Sequence, residues 1–436
     1  MSAYGRWMTS TIPGLLFRDR HISVPVDWTD PTRFGEITVY AREVVDPARD
    51  GDDLPLLLFL QGGPGGQGPR PTAAGGWWSK VLETHRVVLL DQRGTGRSSR
   101  IDGALLDSFP TPAAAAEYVA CFRADAIVED AERLRHALYG GRRWTTLGQS
   151  YGGFITLSYL SRYPEALDAC LTTGGIPSVR ADAETVYART FPRQLERNRA
   201  FEREFPDDVA TLGTIADLLG AQEVLLPDGD VLTPHRLQVL GQSLGMSDGA
   251  DGLHWLLESP FASDGGLDPA FLSAVGARTG YVSNPLYMLL QEVIYHQGER
   301  EPGWAAHDEY LRTPEFSTSV RPLRLTGETV YPWMFDEIRA LRPFRGVAEA
   351  LASRESWPLL YDVDRLASNE VPLAAVQYDD DPYVDLGLAR ETLDATGSSS
   401  LWVTNEYLHD GLRADGARIV PRLFDMVRGR WAPAAR

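Results

Sequence analysis

TTLGQSYGGFITL, residues 145–157, joins an apolar, β-branched run to a helical pattern across a serine set between Gly148 and Gly152. A strand that turns directly into a helix accounts for the glycines on its own, because residues without Cβ let the corner close. The same G-x-S-x-G spacing also suits a corner that lifts a serine hydroxyl above a parallel sheet. The flanking chain decides between the two. LPLLLFLQGGPGG predicts an apolar strand at 54–60 running into a glycine loop, and HRVVLLDQRGTGRSS repeats the design at 85–99. FRADAIVEDAERLRHAL, 122–138, has helical spacing and stops at Gly140 and Gly141. LDACLTTGG predicts the strand after the serine-bearing helix. Strands that are apolar throughout and alternate with helices predict an α/β fold, with a mostly parallel central sheet covered on both faces. Residues 20–46 differ: HISVPVDW and EITVYAREV alternate in short pieces, which predicts an antiparallel pair.

After about residue 177 the pattern changes to helical, Arg/Glu-rich and irregular chain, which lasts to about 345. VPLAAVQYDDDPYVD (371–385) and SLWVTNEYLHDGLR (400–413) then restore strand, loop and helix. The expected organisation is one α/β domain, residues 1–177 and 346–436, interrupted by an inserted helical cap at 178–345. With 436 residues, 43% hydrophobic and 23% charged, the chain has the make-up of a globular protein with ample core. The net charge of −18 argues against nucleic-acid binding, which needs clustered Lys and Arg, and reads as a solvated acidic surface. No run approaches the roughly 18 apolar residues of a membrane span. The start, MSAYGRWMTSTIPG, has no apolar core or cleavage site, so no signal peptide is expected. Two cysteines, Cys121 and Cys170, make no disulfide framework and sit in no metal spacing. A cytoplasmic protein is the expectation. Oligomeric state is not legible.

In an open parallel sheet, functional groups collect in loops at the carboxyl ends of strands. Ser150 occupies one such loop, and a serine hydroxyl needs a neighbouring base to act as a nucleophile. Of eight histidines, only His409 lies beyond the insertion, and it follows the strand SLWVTNE. An imidazole that acts as a base needs an orienting carboxylate. Asp379, Asp380 and Asp381 follow the strand at 371–377; Asp381 is the expected partner and Asp380 the reserve. The order Ser, Asp, His along the chain is that of α/β-hydrolases. QGGPGGQG (61–68) lacks the Gly-Lys-Ser/Thr ending of a phosphate loop, so it is expected to supply half of an oxyanion hole. The backbone N–H groups of Gly63 and Tyr151 are the candidates. Losing one such donor typically costs about 3–4 kcal/mol of transition-state stabilisation.

QGGPGGQGP, DQRGTGRS, GQSYGGF, YDDDPYVD and EYLHDGLR, in this order, resemble the motifs of the proline iminopeptidases, serine peptidases of the α/β-hydrolase fold. Gln61 stands where the family loop commonly begins with His, which leaves the oxyanion glycines in place. NPLYMLLQEVIYHQGE, GWAAHDEYL and LTGETVYPWMF resemble cap segments of the longer-chain branch. The resemblance implies hydrolysis after an N-terminal proline through an acyl-enzyme, with no metal or organic cofactor and peptides with a free N-terminal proline as substrates. It also implies that cap glutamates hold the substrate amine; by motif these are Glu292 and Glu328, with Glu299 a weaker third. A protonated proline nitrogen has two N–H donors and a charge, which two carboxylates would satisfy. Tyr295, Tyr331 and Trp333 either wall the proline ring or fill the cap core. The alternative activity is an esterase, or an aminopeptidase of broader first-residue specificity, because fold and triad do not separate these. A hydrolase fold serving only as a binding module is disfavoured, since every triad candidate is present.

Overall fold

The computed structural model describes residues 8–430. At its centre is a nine-stranded sheet in the order β1-β2-β3-β5-β4-β6-β7-β10-β11. β1 (Met8–Ile12), β2 (Leu15–Pro25) and β3 (Glu36–Val45) run antiparallel, and β3 joins β5 (Arg86–Asp91) antiparallel as well. From β5 onward the sheet is parallel through β4 (Leu56–Leu60), β6 (Trp144–Gln149), β7 (Leu167–Thr173), β10 (Leu373–Tyr378) and β11 (Ser399–Thr404). β4 and β10 are buried at every position, as expected of central strands covered on both faces. The antiparallel pair expected near 20–46 is β2 and β3; the β1 edge hairpin carries no strong alternation and was not anticipated.

Helices cover both faces. On one side, Ala124–Tyr139 ends on Gly140 in the left-handed conformation at φ 61°, as its glycine pair predicted. Beside it, Tyr151–Arg162 is buried along its whole length except Arg162. On the other side, Gly411–Val427 packs Ile419, Val420 and Leu423 with Trp77, Trp78 and the undersides of β4, β5 and β10.

The chain between β7 and β10 is mainly helical, with one small antiparallel ribbon of β8 (Gly298–Glu299) and β9 (Ser356–Trp357). Its earlier part closes a hydrophobic cluster of its own around Phe201, Leu212, Ile215, Leu240, Leu253 and Val275. Its later part does not: Leu286, Leu289, Val293, Met334, Phe344 and Leu351 belong to the same cluster as Ile127, Phe154 and Ile155 of the sheet-covering helices. The segment between β7 and β10 is thus fused to the sheet along one side and self-contained on the other.

Candidate active site

Ser150 stands between β6 and the helix Tyr151–Arg162, at φ 55° and ψ −126°. Few side chains tolerate this conformation, and it is the one that lifts the hydroxyl clear of the turn. The corner closes only because its neighbours lack Cβ atoms. A Cβ on Gly152 would lie 1.9 Å from Leu60 O, and one on Gly148 would lie 2.3 Å from Gly152 O. The glycine loop after β4 presses against the same point, since a Cβ on Gly62 would come within 2.8 Å of Ser150 Cβ. Gly63 follows at φ 123°, in the region that favours glycine. Tyr151 opens its helix, where backbone N–H groups have no partner within the helix.

Three distant loops converge on this serine. His409, on the turn after β11, lies with Nε2 2.8 Å from Ser150 Oγ and Nδ1 2.7 Å from Asp381 Oδ2. Asp381 is 1% exposed, and its other oxygen accepts from the backbone N–H groups of Tyr383 (2.8 Å) and Val384 (3.2 Å). Asp379 and Asp380 both point to solvent. Burial works against the charged imidazolium of His409. The charge and hydrogen bond of Asp381, helped by Glu328 and Asp410, outweigh it and hold the pKa above the ordinary histidine value.

The cap builds the other wall. Glu328, Gln194, Tyr187, Phe191, Tyr295 and Tyr383 help line a narrow cavity. The Tyr383 ring packs edge-on to the His409 imidazole, with centroids 5.0 Å apart, so the cavity adjoins the serine-histidine pair. Tyr287 donates its hydroxyl to Glu328 Oε1 at 3.0 Å while accepting from Gln242 Nε2 at 3.0 Å, and Gln291 also bonds the carboxylate. Burial raises the Glu328 carboxyl above its usual range, against the opposing pull of His409, Tyr287 and Gln291.

Glu292 is placed elsewhere. Its two oxygens accept from Ala305 N (3.0 Å) and Ala306 N (3.2 Å), capping the helix Ala305–Arg312, and it lines a different cavity with His296 and Trp304. Burial pushes its pKa up to about 7 despite those two N–H donors. Glu299 is exposed on β8. The structure therefore brings together Ser150, His409, Asp381 and Glu328, and leaves Glu292 and Glu299 outside the cavity. Of the aromatics weighed for the proline wall, Tyr295 lines the cavity; Tyr331 and Trp333 stack on each other and do not line it. Sequence reasoning missed Gln194, Gln242, Tyr287 and Tyr383. Tyr287 and Tyr383 fall inside the segments NPLYMLLQEVIYHQGE and YDDDPYVD, but nothing in those segments singles them out, and only the fold brings all four to one place.

The cap also holds the histidine loop directly. His409 N donates to Gly245 O at 2.9 Å, and Leu408 N to Ser247 Oγ at 3.2 Å. Ser247 in turn donates to Asp410 from its backbone N–H and its hydroxyl. Among the described residues there is no cluster of three or more His, Cys, Asp or Glu arranged for a metal ion, and no helix is long and apolar enough to cross a membrane.

A sequence model of the alpha/beta hydrolase fold matches residues 55–211, from β4 through the serine corner into the first cap helices. A proline iminopeptidase of Aeromonas sobria is 40% identical over 418 residues, covering 96% of this chain and 98% of its own length. The proline iminopeptidase aneH of Aspergillus aculeatus is 32% identical over 421 residues, covering 93% and 92%. A proline iminopeptidase of Neisseria meningitidis matches only 166 residues, 36% of this chain, at 32% identity. With two such relatives matched from end to end, the chain belongs to the proline iminopeptidase family of α/β-hydrolases.

Proposed function

We propose that the protein is a serine aminopeptidase that releases N-terminal proline from peptides, with Ser150 as nucleophile, His409 as general base and Asp381 as its orienting carboxylate. The observation that carries this reading is His409 bridging Ser150 Oγ and Asp381 Oδ2 beside a cavity that holds one carboxylate, Glu328. In the neutral imidazole, Nδ1–H donates a hydrogen bond to the Asp381 carboxylate, which leaves Nε2 free to accept from the serine. As Ser150 Oγ attacks the prolyl carbonyl, its proton passes to Nε2. The imidazolium formed is stabilised by the Asp381 charge. The carbonyl oxygen becomes an oxyanion, and we assign the backbone N–H groups of Tyr151 and Gly63 to receive it. Collapse of this intermediate breaks the C–N bond, and the proton on Nε2 goes to the leaving amine. Water then repeats the sequence on the acyl-enzyme. Glu328 meets the charged imino group of the substrate, and charge-assisted bonds of this kind are the strong ones. Cys121 and Cys170 are both free thiols, which fits a cytoplasmic setting.

Prolyl, alanyl and N-acetylprolyl 4-nitroanilides, with a short-chain ester, test the reading. Free prolyl anilide should be cut with the highest kcat/KM, and the acetylated one should lose about a hundredfold or more, as expected when a buried carboxylate faces no cation. Equal cleavage of the acetylated substrate removes the amine-recognition role of Glu328; preference for the ester makes the protein an esterase. Ser150→Ala should abolish turnover and fluorophosphonate labelling while the fold persists.

A further inference from the structure

Gln194, on the cap helix Ala183–Glu204, is 3% exposed and lines the same cavity as Glu328. Its Nε2 donates to three backbone carbonyls: Leu325 O at 3.0 Å, Gly241 O at 3.2 Å and Thr326 O at 3.3 Å. These carbonyls set the orientation of the amide, because exchanging its nitrogen and oxygen would face oxygen against oxygen. Oε1 must look the other way. It is buried with no hydrogen-bond partner among the described residues. Buried polar atoms are nearly always paired, so a rigidly held orphan acceptor on a cavity wall is suited to a donor that arrives with a ligand. Gly327 keeps the approach open, since a Cβ there would reach within 3.1 Å of Oε1. Gly327 is also the chain neighbour of Glu328, so the two acceptors share one corner of the cavity.

We propose that Gln194 Oε1 is a substrate-binding acceptor, taking one N–H of the protonated imino group while Glu328 takes the other together with its charge. The proposal rests on the reading of the protein as a prolyl aminopeptidase. It follows from a count of donors and acceptors. The protonated ring nitrogen of an N-terminal proline has two N–H donors, whereas among the described residues Glu328 is the only carboxylate on the cavity wall and Glu292 is committed to a helix end. A neutral second acceptor suits the place better than a second anion. Two adjacent carboxylates in a dry site push one another toward protonation, whereas an amide oxygen serves the donor without that repulsion.

N-methylproline tests this, because its protonated nitrogen keeps the charge and only one N–H. Wild-type kcat/KM for prolyl 4-nitroanilide should exceed that for the N-methylprolyl anilide by about a hundredfold. Gln194→Met should lower the prolyl value about tenfold, mostly through KM, and leave the N-methylprolyl value within about twofold, so that discrimination shrinks. Gln194→Asn, which draws the oxygen back by one methylene, supplies the same readout if the Met variant fails to fold. A wild-type enzyme that cuts both substrates equally overturns the proposal, as do variants with undiminished discrimination. So does loss of discrimination in Tyr187→Phe alone, because the Tyr187 hydroxyl also lines the cavity unpartnered. If the wild type releases no proline from the prolyl anilide, the aminopeptidase reading itself falls and the proposal falls with it.

Discussion

Ser150 keeps a left-handed backbone conformation at φ 55°, which costs a non-glycine residue roughly 1–3 kcal/mol and persists only where the surroundings enforce it. Here the enforcement is visible in the glycines packed around it, and those glycines are why the serine could be picked from sequence. His409 was legible for a different reason, as the one histidine following a late strand. Among Asp379, Asp380 and Asp381 the expected partner, Asp381, is the one on the imidazole, but sequence did not exclude Asp380, because adjacent residues leaving a strand differ only in which way the turn aims them. Asp381 is turned inward, where it accepts two backbone N–H groups of its own turn as well as the imidazole. Glu328 acts on His409 through its charge, which favours the imidazolium and raises the histidine pKa. Since the base must be neutral to accept the serine proton, the acid limb of reactivity should lie above pH 6.5. Glu328→Gln removes that anion, so the His409 pKa should fall and the acid limb of fluorophosphonate labelling should move to lower pH. The same change should raise KM for prolyl anilide by about tenfold or more. A labelling profile that does not move would show that the carboxylate is too far from the imidazole to matter.

The helix Ala305–Arg312 illustrates how an element can borrow its cap from elsewhere. Its N-cap residue, Trp304, has no side-chain acceptor, and its first turn begins with two alanines. Both N–H groups, buried and without a partner inside the helix, are met by Glu292, 13 and 14 positions earlier in the chain. A helix start without Ser, Thr, Asp or Asn was the available signal that an acid from another segment would be needed. Motif position suggested substrate binding instead, because spacing does not report which backbone donors fold against a side chain. Glu292→Ala should therefore lower stability by about 1–2 kcal/mol, read as a fall in Tm, while the preference for free over acetylated prolyl anilide stays within about twofold of wild type. A collapse of that preference with Tm intact would return Glu292 to amine binding. The turn carrying His409 likewise depends on another element. Its hydrogen bonds to Gly245 and Ser247 tie the base to the cap, so this edge of the cap cannot swing away without carrying the histidine with it.

Across the molecule, the seam between sheet domain and cap is apolar along the Leu286–Leu351 side and is pinned by a buried cation, Arg123. Its guanidinium donates to His296 O and to Pro358 O (2.8 Å) and lies 4.8 Å over the Trp357 ring. The nearest carboxylate, Asp125, is 4.0 Å away. Burial opposes the charge and lowers the Arg123 pKa, yet the arginine holds the segments flanking the β8–β9 ribbon to a sheet-covering helix through the backbone oxygens of His296 and Pro358. Arg123→Ala should destabilise the whole molecule by about 2–4 kcal/mol, from the cavity left and the carbonyls unpaired. The measurement is the urea unfolding midpoint, and a single cooperative transition should remain because cap and sheet domain share one core. Two separate transitions would mean that the seam is weaker than its packing implies.

Periodicity and glycine placement were enough to read the parallel sheet, the serine corner and the order of the reacting groups, because these depend on local rules: apolar runs, turn chemistry and chain order. The aspartate that faces the imidazole, the acid that lines the cavity and the polar groups that hold it were decided by folding. Each depends on a contact between segments that lie tens to hundreds of residues apart, such as Gln194 with Leu325, Tyr287 with Glu328 and His409 with Gly245. Local pattern carries no information about which distant backbone will satisfy a given side chain, and here it is that satisfaction which separates the carboxylate on the cavity wall, Glu328, from the one that caps a helix, Glu292.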